Sequence, residues 1–332
     1  FYKKNDDLLL KPELPAYVAP TDGGWEYLNT AYVNAGSIEN KGVDISLSTT
    51  NITDSIAGMQ FQWTSDLSFS LVRNKVTDLG SSTEAITESS DPSGVYRMFS
   101  TNIEINRSIV GEAPGRFYGY KTNGIIQNTA DWEAYEKETG RTANVGDVKY
   151  AAEKSFIGDP NPDFTCGLGN TFSWGPWSLN VQLSASYGND VYNLVRMRLE
   201  SMTDKWVNQT SDMMDFARVE NGQVVNSNTS VPRSEYTNDS NGNGKTVSDR
   251  YVEDGSFIKI QNISLSYNLP SKYCSKIKVD NLHVSAGVSN VYTFTDYSGY
   301  DPENPGSAIR QGVDEGRYPS PRTYSVGLGF NF

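Results

Sequence analysis

The C-terminal segment of the chain alternates apolar and polar residues without interruption. Apolar side chains occupy every second position from Tyr324 to Phe332, and small or polar residues lie between them. A repeat of two places the two sets on opposite faces of one β-strand. Such a strand suits the wall of a membrane β-barrel, with apolar residues towards lipid and polar residues towards the lumen, and it also suits a soluble sandwich.

The same alternation recurs along the chain. It is clearest in segments 43–48, 60–71, 164–174, 177–187, 263–267 and 282–294. Several of these segments span about ten residues, the length that a tilted strand needs to cross a bilayer. Sandwich strands have roughly five or six residues. Strand length therefore favours the membrane barrel.

The connections between the predicted strands have unequal lengths. Gly175 and Pro176 form one short turn, and residues 268–280 form another compact connection. The long connections are residues 11–30, 77–101, 128–161, 190–250 and 298–319. Short periplasmic turns and long extracellular loops are typical of outer-membrane barrels. Counting back from the last strand predicts about ten strands, with every short turn on the periplasmic side.

Two of the long connections show the spacing of helices. Leu194, Met197 and Met202 predict a helix over residues 189–206, and residues 129–140 predict a shorter one. Neither segment is long enough to form a domain, so we expect both helices to lie within loops.

Composition agrees with a barrel and disfavours other classes. Only 37% of the residues are hydrophobic, and no run approaches the ~18 apolar residues that a transmembrane helix needs. The 20 Tyr, 13 Phe and 6 Trp residues suit interfacial aromatic belts. A net charge of -12 without a basic run disfavours nucleic-acid binding. Cys166 and Cys274 are expected to be free thiols.

Six motifs, in this order, resemble the C-terminal part of SusC-like TonB-dependent transporters. They are Gly36–Asp44, Gly115–Ile125, Ile157–Phe164, Ser186–Tyr192, Asp254–Ile260 and Pro319–Tyr324. The resemblance implies a larger barrel of about 22 strands around an N-terminal plug. It also implies import of oligomeric glycans or peptides, a SusD-like lipoprotein lid, and energy from the TonB complex acting on an N-terminal TonB box.

The predicted fold class is therefore all-β. Residues 1–332 are expected to form the C-terminal part of a transmembrane antiparallel barrel, with the plug domain and TonB box absent from this chain. Ten strands leave two open edges, which lipid does not tolerate. The expected partners are the rest of the barrel and plug, membrane lipid, the lid and the TonB complex, in the outer membrane of a Gram-negative bacterium.

Loop aromatics are the best candidates for ligand contact, because aromatic faces stack on sugars or peptide side chains. The junction after the strand 177–187 is the first choice, since it enters the largest loop. The predicted ligand-binding residues are Tyr187, Asn189, Asp190, Tyr192, Trp206 and Tyr300. The alternative is that loop aromatics, including Trp132, Tyr135, Tyr297 and Tyr318, pack loop on loop or against the lid.

Other constellations do not indicate catalysis, a metal or a cofactor. The loop 239–246 lacks the first glycine of a phosphate loop and the closing glutamate of a calcium loop, so a flexible external loop is expected. His283, the only histidine, is predicted on the polar face near the periplasmic start of its strand. The loop carboxylates show no pair set apart by its surroundings.

The leading hypothesis is a segment of an outer-membrane importer. Polar residues such as Gln60, Asp66 and Asn180 would then line a wet lumen. One alternative is a self-contained ten-strand barrel enzyme, a protease or lipase, which the position of His283 disfavours. A soluble lectin sandwich is a weaker alternative, because strand length and turn asymmetry oppose it.

Overall fold

The structure is a computed structural model of the chain. It describes residues 1–6, 9–10, 33–34, 36–80, 84–87, 96–98, 101–202, 208–226, 228–234 and 239–331. The predicted long connection 11–30 and the terminal Phe332 lie outside the described residues. Among the residues described, no helix has both the length and the apolar character to cross a membrane.

The described residues form strands β1 to β23. The first five are β1 (Tyr2–Asn5), β2 (Leu9–Leu10), β3 (Val33–Asn34), β4 (Ser37–Ile56) and β5 (Met59–Asp78). The next eight are β6 (Ala85–Thr87), β7 (Tyr96–Met98), β8 (Thr101–Ile103), β9 (Asn106–Ile109), β10 (Arg116–Gly119), β11 (Thr122–Ile125), β12 (Val148–Tyr150) and β13 (Ser155–Gly158). The last ten are β14 (Phe164–Trp174), β15 (Trp177–Tyr187), β16 (Asp190–Asn193), β17 (Val219–Glu220), β18 (Gln223–Val224), β19 (Val252–Asp254), β20 (Phe257–Asn268), β21 (Asn281–Thr295), β22 (Val313–Asp314) and β23 (Thr323–Asn331).

Helices are few and short. The α-helices are α1 (Thr129–Thr139), α2 (Leu194–Leu199) and α3 (Ser271–Cys274), and 3-10 turns span Ser211–Asp215, Asp249–Tyr251 and Ser275–Ile277. Helix α1 confirms the helix predicted over residues 129–140: the Asn128 side chain caps its first turn, and Gly140 ends it at φ 67°.

Within the described residues, eight strands form one antiparallel sheet, which we call the wall. Its order is β1-β4-β5-β14-β15-β20-β21-β23. The sequence predicted about ten strands, and the difference lies in residues 79–163. Because β5 pairs directly with β14, that segment is one connection, and its described residues add no strand to the wall.

The two ends of the wall differ as the sequence predicted. At the short-turn end, two-residue turns join β4 to β5 and β14 to β15, and α3 with the following 3-10 turn joins β20 to β21. Ala57 and Gly58 adopt φ 53° and 77°, the positive values of a type I′ hairpin. At the other end, the loop end, the connections are residues 6–36, 79–163, 188–256 and 296–322.

The register of the wall places like residues on like faces. Val43 pairs with Leu71, and Ile45 pairs with Phe69 on one side, which we call the apolar face. Between them Asp44 pairs with Ser70 on the polar face, where the Ser70 hydroxyl donates to the Asp44 carboxylate over 2.6 Å. Val43 is 53% exposed, so the sheet presents a continuous apolar surface of the kind that requires lipid.

Aromatic residues mark both ends of the apolar face. Trp174 and Trp177 pair across the β14–β15 turn at the short-turn end. At the loop end, Phe164 stacks on Tyr187 with ring centroids 5.2 Å apart. Two aromatic levels separated by a wall strand correspond to the two interfaces of a bilayer.

The connections at the loop end pack on one another to form what we call the loop body. It comprises the described parts of residues 84–163, 188–256 and 296–316. Its main hydrophobic core takes side chains from all three segments: Ile103, Ile105, Phe117, Tyr192, Leu194, Met197, Val247, Tyr251 and Val313. Most of the buried apolar residues of the described chain lie in this body and not in the wall.

Candidate functional site

A cavity of about 490 Å³ opens in the loop body beside helix α2. The helix begins at Leu194 because the Asn193 side chain accepts a hydrogen bond from the Arg196 amide over 2.8 Å. Leu194 and Met197 point into the main core. The opposite side of the helix, with Val195 and Arg196, lines the cavity.

Arg196 is the centre of the charged lining. Its Nε lies 2.7 Å from a carboxylate oxygen of Glu200, and its Nη1 lies 3.1 Å from one of Glu253. Glu200 also binds Arg250 at 3.0 Å. The guanidinium is thereby held between two acids from different parts of the connection 188–256.

Glu253 is fixed by further hydrogen bonds. The Ser298 amide donates to it over 3.0 Å, and the Asn193 side chain donates over 3.2 Å. Burial alone would raise the pKa of Glu253, but the hydrogen bonds from Ser298 and Arg196 outweigh it and lower that pKa. The carboxylate is therefore an ionised acceptor at the cavity wall.

Tyr300 and Asp212 complete the accessible part of the lining. Tyr300 is 82% exposed, so its ring is free to contact a ligand. Behind it, the Tyr297 hydroxyl donates to Asp314 over 2.7 Å, and both residues are buried. A rigid polar wall beneath an exposed aromatic ring can hold hydroxyl or amide groups and stack on a sugar or a side chain.

Of the predicted ligand residues that the structure describes, only Tyr300 lies in this cavity. Tyr187 lies on the apolar face of the wall, which does not face the cavity. Tyr192 is fully buried in the main core, so in this structure its ring packs against other loop residues and does not line the cavity. Trp206 lies outside the described residues, and its role stays a prediction.

Asn189 and Asp190 shape the junction between the wall and the loop body. The Asn189 side chain accepts from the Ser186 hydroxyl and donates to the Gly255 carbonyl. Asp190 accepts from the Asp159 amide over 2.8 Å. Burial, with the nearby Asp159 carboxylate, raises the pKa of Asp190. Both side chains are therefore engaged by the chain itself.

The helix predicted over residues 189–206 is shorter than expected. Residues 190–193 form β16, which pairs with β19 and with β22, and up to residue 202 the helix spans Leu194–Leu199. Residues 203–206 of the predicted helix lie outside the described residues. Sequence reasoning consequently missed Arg196 and Glu253. The only local signal for the site was the spacing of Arg196 and Glu200, four residues apart on a helix.

Other loop aromatics follow the packing alternative. Tyr135 and Tyr297 are buried, and the Trp132 indole donates to the Ala143 carbonyl over 2.8 Å. Tyr318, in contrast, is 90% exposed and does not line the cavity.

The loop 239–246 was predicted to be flexible, and this prediction is wrong. Asn241 and Asn243 are buried. Asn243 accepts from the Val148 amide, and Asn241 donates to the Val148 carbonyl. The Asp239 carboxylate accepts from the Asn243 amide. The segment therefore forms an edge contact to β12, and within the described residues no cluster of metal-ligating side chains occurs.

His283 lies where the sequence predicted. It pairs with Asn268 across β20 and β21 on the polar face at the short-turn end, and Nδ1 lies 2.9 Å from the Asn268 side-chain oxygen. It is at the opposite end of the wall from the cavity. Cys166 and Cys274 are free thiols, as predicted.

No protein-family model matches the chain. Curated TonB-dependent receptors, however, are similar to it along its whole length. TonB-dependent receptor P3 of Formosa agariphila is 31% identical over 345 residues, which cover 99% of this chain and 31% of the relative. TonB-dependent receptor SusC of Bacteroides thetaiotaomicron is 26% identical over 342 residues, covering 100% of this chain and 29% of the relative.

Solved structures agree with the sequence relatives. A chain of the RagAB peptide importer in its closed-closed state superposes with a TM-score of 0.71 at 21% identity, over 100% of this chain and 33% of that chain. The resemblance to SusC-like TonB-dependent transporters and the transmembrane β-barrel fold are thereby confirmed. The chain spans about a third of the length of the relatives it matches. These relatives are named as receptors and importers, not as enzymes.

Proposed function

We propose that this chain is the C-terminal barrel segment of an outer-membrane importer of oligomeric nutrients, either glycans or peptides. The similarity to TonB-dependent receptors over the full chain supports this proposal. The plug and the TonB box would belong to the part of the protein outside this chain. Energy for import would come from the TonB complex acting on that part.

The asymmetry of the wall supports an orientation in the outer membrane of a Gram-negative bacterium. Short turns face the periplasm in such barrels, and long loops face outward. The loop body with its cavity would then lie on the cell surface, where a nutrient first arrives. A SusD-like lipoprotein would close over the loop body after the ligand has bound.

The cavity beside α2 would take part in ligand capture. Tyr300 would stack on a sugar ring or a side chain of the ligand, and Glu253 and Arg196 would bind its hydroxyl or amide groups. Asn189, Asp190 and the buried ring of Tyr192 would keep the junction and helix α2 in position. Displacement of the plug by TonB would then open the polar face of the wall as the route inward.

The observation that carries the importer proposal is the similarity to TonB-dependent receptors over the full chain, and the ligand-capture step rests on the exposed Tyr300 ring above an acid-lined cavity of about 490 Å³. The full-length protein would be expressed in cells that depend on it for uptake. Cells would receive fluorescent oligopeptides from a tryptic casein digest, or fluorescent oligosaccharides from hydrolysed mixed polysaccharides. We expect one of the two pools to enter, and entry to stop when TonB is deleted.

The variant Tyr300→Ala tests the site within that assay. Losing a stacking contact of about 1 kcal/mol should reduce binding roughly fivefold. Tyr318→Ala is the matched control, because this tyrosine is as exposed but lies away from the cavity. Uptake that survives TonB deletion would contradict active import. If Tyr300→Ala and Tyr318→Ala reduced uptake equally, the role of the cavity would be contradicted, but active import would not.

A further inference from the structure

The apolar face of the wall is not flat at the loop end. A groove of about 400 Å³ lies between β15, β20 and β21, within the roughly 300–1,000 Å³ range of ligand pockets. Ala185 forms its floor, because it is the small residue paired with Ile258 on one side and with Cys166 on the other. The larger side chains next to Ala185 on these strands extend further from the sheet and enclose it.

Aromatic rings form the two walls of the groove. On one side Phe164 stacks between Tyr187 and Phe69, with ring centroids 5.2 and 5.4 Å away. On the other side Phe294 packs edge-on against Tyr292 at 4.7 Å. Tyr187 is 56% exposed and Phe294 is 55% exposed. Stacked rings lose little conformational freedom on binding, so the groove is preformed for an apolar chain.

The rest of the barrel does not cover this groove. The strands β14, β15, β20 and β21 are each already paired on both sides. Any further wall strand joins at β1 or β23, the edges of the sheet in the described residues. The groove therefore opens to the membrane, at the level of the aromatic residues that mark the interface.

The end of the groove nearest the loop body is polar and acidic. Asp254, Ser256 and Asp296 line it, and among the residues that the structure describes no Lys or Arg is part of the lining. The two aspartates are exposed, and one oxygen of Asp254 accepts from the Ser256 amide over 2.8 Å. Two carboxylates repel a bare phosphate and attract an ammonium group.

We propose that this groove binds one membrane lipid with a primary-amine head group. Its acyl chain lies over Ala185 between the aromatic walls, and its ammonium contacts Asp254 and Asp296. This inference concerns the membrane side of the wall and holds whatever ligand the loop body captures. It also gives Tyr187 a role, as a wall of a lipid site.

The test uses the purified full-length protein and native mass spectrometry. Phosphatidylethanolamine and phosphatidylglycerol with identical acyl chains are offered at equal concentration. We expect retention of the first to exceed that of the second by about tenfold. The variant Ala185→Phe fills the groove and should abolish retention. Ala286→Phe, on the same face opposite Leu265 but outside the groove, is the control and should not.

A second variant tests the head group without disturbing the wall. Asp254→Asn with Asp296→Asn should remove the preference for phosphatidylethanolamine while leaving some binding of both lipids. Equal retention of both lipids by the unaltered protein would overturn the proposal. Retention of phosphatidylglycerol that needs magnesium and is lost with EDTA would also overturn it, because a cation would then replace the amine.

Discussion

Two carboxylates at the base of helix α2 show opposite responses to similar burial. For Asp190, burial raises the pKa, and the nearby Asp159 and Asp254 carboxylates raise it further. For Glu253, burial also acts upward, but hydrogen bonds from Ser298 and Arg196 lower the pKa overall. The ionised form of Asp190 is thus destabilised in the folded protein, whereas the ionised form of Glu253 is stabilised. The difference follows from donors that lie far away in sequence.

These shifts predict opposite pH effects on the loop body. Because the folded pKa of Asp190 is raised, its protonated form stabilises the folded state at low pH. This stabilisation is lost as the pH rises through the folded pKa. Asp190→Asn should therefore leave stability unchanged or increased at pH 7. Glu253 stabilises the folded state at pH values above its usual pKa of 4.5, and this stabilisation is lost as the pH falls through its lower folded pKa. Glu253→Gln should therefore destabilise the loop body at pH 7.

Hydrogen exchange over residues 188–202, corrected for intrinsic rates, checks both effects. Protection should fall in Glu253→Gln at pH 7 and be kept or increased in Asp190→Asn. The difference between Glu253→Gln and the unaltered protein should shrink at pH 3. Faster exchange in Asp190→Asn at pH 7 would contradict the assignment of strain to Asp190.

At the scale of elements, one ion pair ties the connection 296–322 to the wall. Lys259 projects from β20 and is only 5% exposed, and its ammonium binds the Glu303 carboxylate. The side chain of Glu303 is 37% exposed, so the two partners differ in burial. Replacing Glu303 should therefore affect stability differently from replacing Lys259.

Removing Glu303 leaves a buried ammonium without its partner, which costs about 3–5 kcal/mol. Glu303→Gln should lower the thermal unfolding temperature of the full-length protein in detergent. Lys259→Met removes the buried charge, and Glu303 turns to solvent, so this variant should be close to neutral. The double variant should resemble Lys259→Met. If Lys259→Met were as destabilising as Glu303→Gln, the burial argument would be wrong.

At the scale of the whole molecule, local patterns predicted what depends on local order. Alternation with a period of two identified seven of the eight wall strands, all except β1, because strand faces are set by neighbours in sequence. The lengths of the connections predicted the difference between the two ends of the wall. Alternation also placed Tyr187 in the apolar set with Trp177, so its position on the membrane side was available from the sequence. The strand count was too high because alternation does not say which sheet a strand joins.

The cavity could not be predicted from the sequence for a similar reason. Arg196 and Glu253 are 57 residues apart and meet only when β16 pairs with β19. Tyr192 looked like a ligand contact because an aromatic residue in a polar loop gives no sign of burial. Its burial depends on Phe117 and Val313 from two other connections, and the packing of three connections leaves no pattern in any one of them.

The orientation of the wall predicts which residues a reagent outside intact cells can reach. A cysteine in place of Tyr318, which is 90% exposed at the loop end, should react with a membrane-impermeant maleimide. A cysteine in place of Lys272, exposed in α3 at the short-turn end, should react only after the outer membrane is permeabilised. The two thiols of this chain give a low background, since Cys274 is 1% exposed and Cys166 lies on the apolar face. Labelling of the Lys272→Cys variant in intact cells would show that the wall has the opposite orientation. It would place the cavity in the periplasm, where it could not capture a nutrient.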